Sequence, residues 1–176
     1  DYFMNFGATS GTSVTSFGGR LGAKSVNSGT NYRFIIQNIS GGTPTFTEYS
    51  SDLIFGTTYL VVVKYDRSTN PTTASLWVNP VSLGGAEPTG QVINNSGTTA
   101  FATFASICLR NNATTPKAEI DEIRVGATWA DVTPSGSIPT ITTTGTLTAF
   151  STAVGTPSTE QNYTVAGSNL TADITI

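Results

Sequence analysis

The densest run of acidic side chains, Glu119-Ile120-Asp121-Glu122, is the first place to look for acid–base chemistry. In a strand, alternate residues face the same way, so Glu119 and Asp121 share a face and Glu122 points to the other. Glycoside hydrolysis needs two carboxylates on either side of the scissile bond. The structural alternative is that Asp121 and Glu122 make strand-end hydrogen bonds and pair with Lys117 or Arg124. Histidine is absent, which excludes Ser-His-Asp and Cys-His nucleophilic sites and any imidazole metal ligand. Cys108 stands alone; it can form no internal disulfide and reads as a small buried apolar residue. Among the aromatic residues, Trp77, Trp129, Tyr65 and Tyr49 have the types that stack on sugar rings. Aromatic residues in strands of a sandwich more often belong to a core.

Composition narrows the partners. The 176 residues carry 18 Gly, 8 Pro and 11% charged side chains, with a net charge of -3. No basic stripe is present for nucleic acid, and no apolar run reaches the length of a membrane span. A chain so rich in Ser and Thr, with apolar residues in short patterned runs, reads as an all-β extracellular module. Asn-x-Ser/Thr triplets begin at Asn38, Asn94, Asn112, Asn162 and Asn169; in a Thr-rich chain such triplets arise by chance.

The elements that must position these residues are strands. Residues 58–65 are dense in β-branched and aromatic side chains, and 66–73 gather the Asp, Ser, Asn and Pro of a turn. Residues 74–79 then alternate, with Leu76 and Val78 on one face and Trp77 on the other. This predicts a long antiparallel hairpin as the centre of a β-sandwich. Further strands are expected at 1–6, 14–26 (with a bulge or a bend at Gly18-Gly19), 31–39, 45–49, 99–110 and 117–126. In the last of these, Ala118 and Ile120 share one face and Ile123 and Val125 the opposite one. Either a bulge lies near Asp121-Glu122 or both faces are covered. Residues 127–132 predict a single helical turn with Trp129 as a plug. Gly- and Pro-rich residues 134–139 mark a linker between a body at 1–133 and a tail at 140–176. The tail has room for about four strands, short of the seven of an immunoglobulin-like sandwich; they are expected at 140–143, 146–150, 161–166 and 172–176.

The stretch 118–125 (AEIDEIRV), followed by Thr128-Trp129-Ala130-Asp131-Val132, resembles the terminal strand of laminin-G-like, or concanavalin A-like, modules of large secreted bacterial proteins. The pair YLVVVKYD and SLWVNP and the loop Gly84-Gly85-Ala86-Glu87-Pro88 are similar to the same family, so the likeness covers residues 31–134. It implies a concanavalin A-like jelly-roll sandwich, with a tail similar to the opening of an immunoglobulin-like domain. It also implies a secreted or cell-surface location and no fixed function, since the fold hosts lectins, glucanases, adhesins and spacers. Glucanases of this fold carry Glu-x-Asp-x-(x)-Glu on a strand; here the second Glu is replaced by Ile123 or Arg124, so no enzyme is expected. Lectin-type relatives bind Ca2+ through carboxylates and carbonyls, for which Asp66, Asp121 and Asp52 are candidates, although no cofactor is required. Such sandwiches have more strands than fit here. The chain is then expected either to be a piece of a longer polypeptide or to be completed by neighbouring copies. Gln161, Tyr163, Val165, Ile174 and Ile176 would be the donated strands. The expected role is structural or adhesive, as a filament or cell-surface subunit, with a carbohydrate-binding module as the alternative.

Overall fold

In the computed structural model, which describes residues 1–14, 16–39, 45–97, 103–111, 113, 116–134 and 140–168, three long strands open the chain. These are β1 (Tyr2–Gly7), β2 (Phe17–Val26) and β3 (Asn31–Ile39). They form an antiparallel meander, extended on one side by β4 (Thr47–Glu48) and on the other by β8 (Ser106–Leu109), in the order β4-β3-β2-β1-β8. A second sheet runs β5 (Val61–Asp66), β6 (Thr73–Val78), β7 (Val92–Asn94). The protein is all-β.

The expected hairpin at 58–79 is present as β5 and β6, in register from Val61 opposite Val78 to Asp66 opposite Thr73. Its turn begins with Asp66, whose Oδ1 accepts the Ser68 backbone N–H at 2.8 Å and the Ser68 hydroxyl at 2.6 Å, an Asx turn. Alternation along β6 sends Ala74, Leu76 and Val78 into the main core between the sheets. There they meet Phe3, Leu21, Phe34 and Ile36. Trp77 goes to the opposite face, where it joins Val62 and Trp129 in a second cluster. The middle strand of the smaller sheet is thus covered twice, by the larger sheet inside and by Trp129 outside.

Trp129 is delivered by α1 (Trp129–Val132), a single turn held by a reciprocal cap. The Thr128 Oγ1 accepts the Asp131 N–H at 3.3 Å, and Asp131 Oδ2 accepts the Thr128 N–H at 2.8 Å, satisfying the free N–H groups of the turn. The Thr128 side chain, and then the backbone N–H groups of Thr128 and Ala127, hold the Asp131 carboxyl below its ordinary value. The expected bend at Gly18-Gly19 has a steric cause. Gly19 takes a φ of 55°, and a Cβ there would lie 2.8 Å from the Phe6 ring and 3.3 Å from Tyr65 Cβ, so only glycine fits.

Two expectations differ from the structure. Residues 117–126 form no strand and their side chains are exposed. Glu122 sits at φ 51°, with its N–H bound to Asp121 Oδ1 at 2.7 Å. This left-handed residue breaks the extended run at the place where the alternation changes phase, and among the described residues no strand lies beside it. Residues 146–150 are likewise not a strand.

The chain divides into two compact units, Asp1–Pro134 and Ser135–Ile176. In the second, β9 (Thr140–Thr144) pairs antiparallel with β10 (Thr164–Ser168). The Gln161 side-chain amide takes the place of a strand partner for Thr148: its Oε1 accepts the Thr148 N–H at 2.6 Å and its Nε2 donates to the Thr148 carbonyl at 2.9 Å. The expected strand at 172–176 and most of the linker lie outside the described residues.

Candidate functional site

Of the four aromatic sugar-binding candidates, Trp77, Trp129 and Tyr65 are buried and Tyr49 is half-buried. Trp77 is 1% exposed; its ring meets that of Trp129 edge-on at 4.9 Å. The Trp77 Nε1 donates to the carbonyls of Pro88 and Thr89 at 3.2 and 3.1 Å. Trp129 Nε1 donates to the Ser82 carbonyl at 3.2 Å, so these two indoles pin the 80–90 loop rather than offer a stacking face. Tyr65 packs on Phe6 and Phe104, and burial raises the pKa of its phenol. The expectation of an aromatic sugar platform at Trp77, Trp129 and Tyr65 is therefore corrected: a stacking platform needs an open ring face, and these rings are covered.

The carboxylates are dispersed among local tasks. Asp66 closes its turn, and the hydrogen bond from the Ser68 hydroxyl is the largest cause holding its carboxyl below the ordinary value. Asp52 accepts from Arg33 Nε at 2.6 Å and Asn27 Nδ2 at 2.7 Å, and its pKa is lowered by Arg33 first and Asn27 second. Asp121 caps Glu122, and Glu122 lies 3.6 Å from Arg124, a solvent-exposed pair of the kind that adds little stability. Asp66, Asp121 and Asp52 are not gathered: among the described residues no three acidic, Cys or His side chains group as a metal site. Gln161 is used within its own unit, Val165 pairs with Thr143 in the β9–β10 ladder, and Tyr163 is exposed beside it. Ile174 and Ile176 lie outside the described residues.

Two constellations had no local signal in the sequence. On the larger sheet, the Tyr2 ring has the Arg20 guanidinium 4.4 Å from its centroid and the Arg110 guanidinium also 4.4 Å away. Arg110 is neutralised by Asp1 at 2.5 Å. Arg20 has a neutral partner, Gln37 Oε1 at 3.0 Å, a second ring in Phe17 at 5.2 Å, and a buried Nε without a hydrogen-bond acceptor. Burial, followed by the nearby Arg110 charge, lowers its pKa, while Tyr2 acts in the opposite sense.

The second constellation is an amide cluster where the two sheets meet. Asn94 Oδ1 accepts the Asn38 backbone N–H at 3.0 Å, and Asn94 Nδ2 donates to the Thr45 carbonyl and Thr47 Oγ1 at 2.7 and 2.9 Å. Asn38 Nδ2 donates to the Thr72 carbonyl at 2.6 Å. Both asparagines begin glycosylation triplets, yet both are buried and act as structural linkers. No family model matches this chain, and neither a curated protein nor a solved structure matches it.

What the surface does offer, among the described residues, is exposed apolar side chains. Ile120, Ile123 and Val125 are 43%, 54% and 68% exposed along a run in no ladder. In the second unit Ile141, Leu147, Phe150 and Tyr163 are exposed as well. Single exposed apolar residues are ordinary; here several fall in one run.

Proposed function

We propose that this chain is a non-enzymatic, extracellular structural or adhesive module, a cell-surface or filament subunit whose copies, or whose neighbouring domains, are joined by β-strand addition. The observation that carries this reading is the second unit. Its described ladder is one two-stranded hairpin with apolar side chains in solvent, and an isolated hairpin is marginal in water. Adding a strand from outside supplies the missing hydrogen bonds and covers the apolar side chains. The concanavalin A-like resemblance and the Ser/Thr-rich composition fit a secreted location.

The test is sedimentation and negative-stain microscopy of the intact chain across a wide concentration range. Oligomers or fibres, reduced to no more than a dimer when 135–176 are removed, are the expected result; a monomer at every concentration overturns the reading.

A carbohydrate-binding module is the second reading, favoured by the Tyr2–Arg20–Arg110 row. Its chemistry suits an acidic saccharide, because Arg20 has no carboxylate partner among the described residues and guanidinium groups match carboxylates. Binding of a polyuronate that survives in wild type and disappears in Arg20→Met would favour it.

A further inference from the structure

We infer that residues 118–125 are a strand donor, and that the edge they complete is residues 61–64 of β5 in a second copy of this chain. The inference rests on the assembly reading above and names one contact within it, carried by the first unit.

The donor is shaped for one buried face. In an unbroken strand, Ala118 and Ile120 would face one way and Ile123 and Val125 the other. Glu122, at φ 51°, occupies the left-handed conformation in which a bulge takes up one extra residue. One extra residue shifts the alternation by one. Ala118, Ile120, Ile123 and Val125 then share a face, and Glu119, Asp121, Glu122 and Arg124 are left to solvent. A segment with no partner has no need of a single apolar face; an added strand does.

The acceptor follows from the unequal sheets. The larger sheet has five strands and the smaller three. β5 packs on β2, β6 on β2 and β3, and β7 on β3 and β4. The smaller sheet thus lies chiefly over β2–β4, β5 reaches β1 through Tyr65 on Phe6, and the β8 end of the larger sheet extends beyond β5. Phe104, next to this margin, packs on Phe6 at 5.4 Å and remains 47% exposed. A strand added outside β5 would lie over that margin and set its isoleucines against it. Antiparallel addition brings Glu119 beside Lys64, which also pairs with Glu87 at 2.9 Å, and carries Arg124 to the other end of β5.

The occupant is a second copy because one copy displays both halves of the contact at once. Its own 118–125 stands in solvent, and among the described residues no strand lies outside β5. Two copies can exchange the segment reciprocally, which closes as a two-fold dimer.

The test uses the full chain on a Cys108→Ser background. A chain with Ile123→Cys is mixed with a chain carrying Val61→Cys under mild oxidation, and the two changes are also combined in one chain. A disulfide-linked two-chain product, in the mixture and in the doubly substituted chain, is expected. A disulfide closed within one chain overturns the inference, and so does no disulfide in either experiment. Independently, Ile123→Pro removes a ladder donor and should weaken self-association by about tenfold or more, with the circular dichroism of the monomer unchanged. If self-association persists undiminished in Ile123→Pro, the contact assigned here is wrong while the assembly reading stands. If the wild-type chain never associates, both fall.

Discussion

β6 and residues 118–125 are written in the same style, and the protein treats them in opposite ways. TASLWV becomes the most buried strand of the smaller sheet, with Leu76 at 0% and Trp77 at 1% exposure. AEIDEIRV, just as rich in alternating apolar residues, lies in solvent. Propensity does not separate them, since Ile and Val favour strands in both. What separates them is delivery. β6 is returned to β5 by a hairpin turn at 67–72 that Asp66 and Ser68 shape locally, and it then receives β7 on its other edge and Trp129 on its outer face. Residues 118–125 are tethered to the fold at either end, by Arg110 on Phe3 and by Trp129 on Trp77, and among the described residues no strand edge pairs with them. A strand pattern specifies a face; it does not supply a neighbour.

The largest effect that sharpens this contrast is expected at Trp77. Trp77→Ala should destabilise the first unit by about 3–5 kcal/mol, the range for deleting a buried Trp or Phe side chain. It removes the ring beneath Trp129 and frees the loop carbonyls of Pro88 and Thr89. Urea unfolding monitored by circular dichroism reads this directly. A loss under about 1 kcal/mol would mean that the outer layer is not holding β6, and the contrast with 118–125 would lose its cause.

A smaller loss is expected at Asn94. In Asn94→Ala the buried N–H of Asn38 loses its acceptor, and leaving such a group unsatisfied costs about 1–3 kcal/mol. The amide cluster bonds β3 to β7 across 56 residues of sequence, so this variant tests whether the sheets are locked polar-to-polar as well as packed. Hydrogen exchange should accelerate at Asn38 and around Thr72. Unchanged exchange there would assign the locking to the apolar core alone.

These same particulars mark what could be read from residues alone. The hairpin was legible because its turn residues and alternation are contiguous, and the helical turn was legible because Thr128 and Asp131 stand three apart, at capping spacing. The Tyr2–Arg20–Arg110 row and the Asn38–Thr72–Asn94 cluster were not. Each arises from residues on separate strands, and nothing near Tyr2 in sequence announces two guanidinium groups over its ring. The strand expected at 117–126 failed for the reason already given: its pattern carries no information about whether an edge is within reach. The burial of Trp77 and Trp129 follows from a second layer, α1, whose docking onto the far side of β6 is a tertiary fact.

The smallest effect is the most informative about the exposed segment. Ile123→Ser should change the unfolding free energy of the dilute, unassociated chain by no more than about 0.5 kcal/mol, as for surface positions that touch nothing. A buried strand residue of the same kind would lose several times that on truncation, about 2–5 kcal/mol for Ile→Ala. The measurement is a urea midpoint at low concentration, repeated at high concentration. Association linked to folding raises the wild-type midpoint as concentration rises, and the serine variant should lack that rise if Ile123 is buried only between copies. A large loss in the dilute chain would instead place Ile123 in a core of its own subunit. The segment and β6 would then differ in degree rather than in kind.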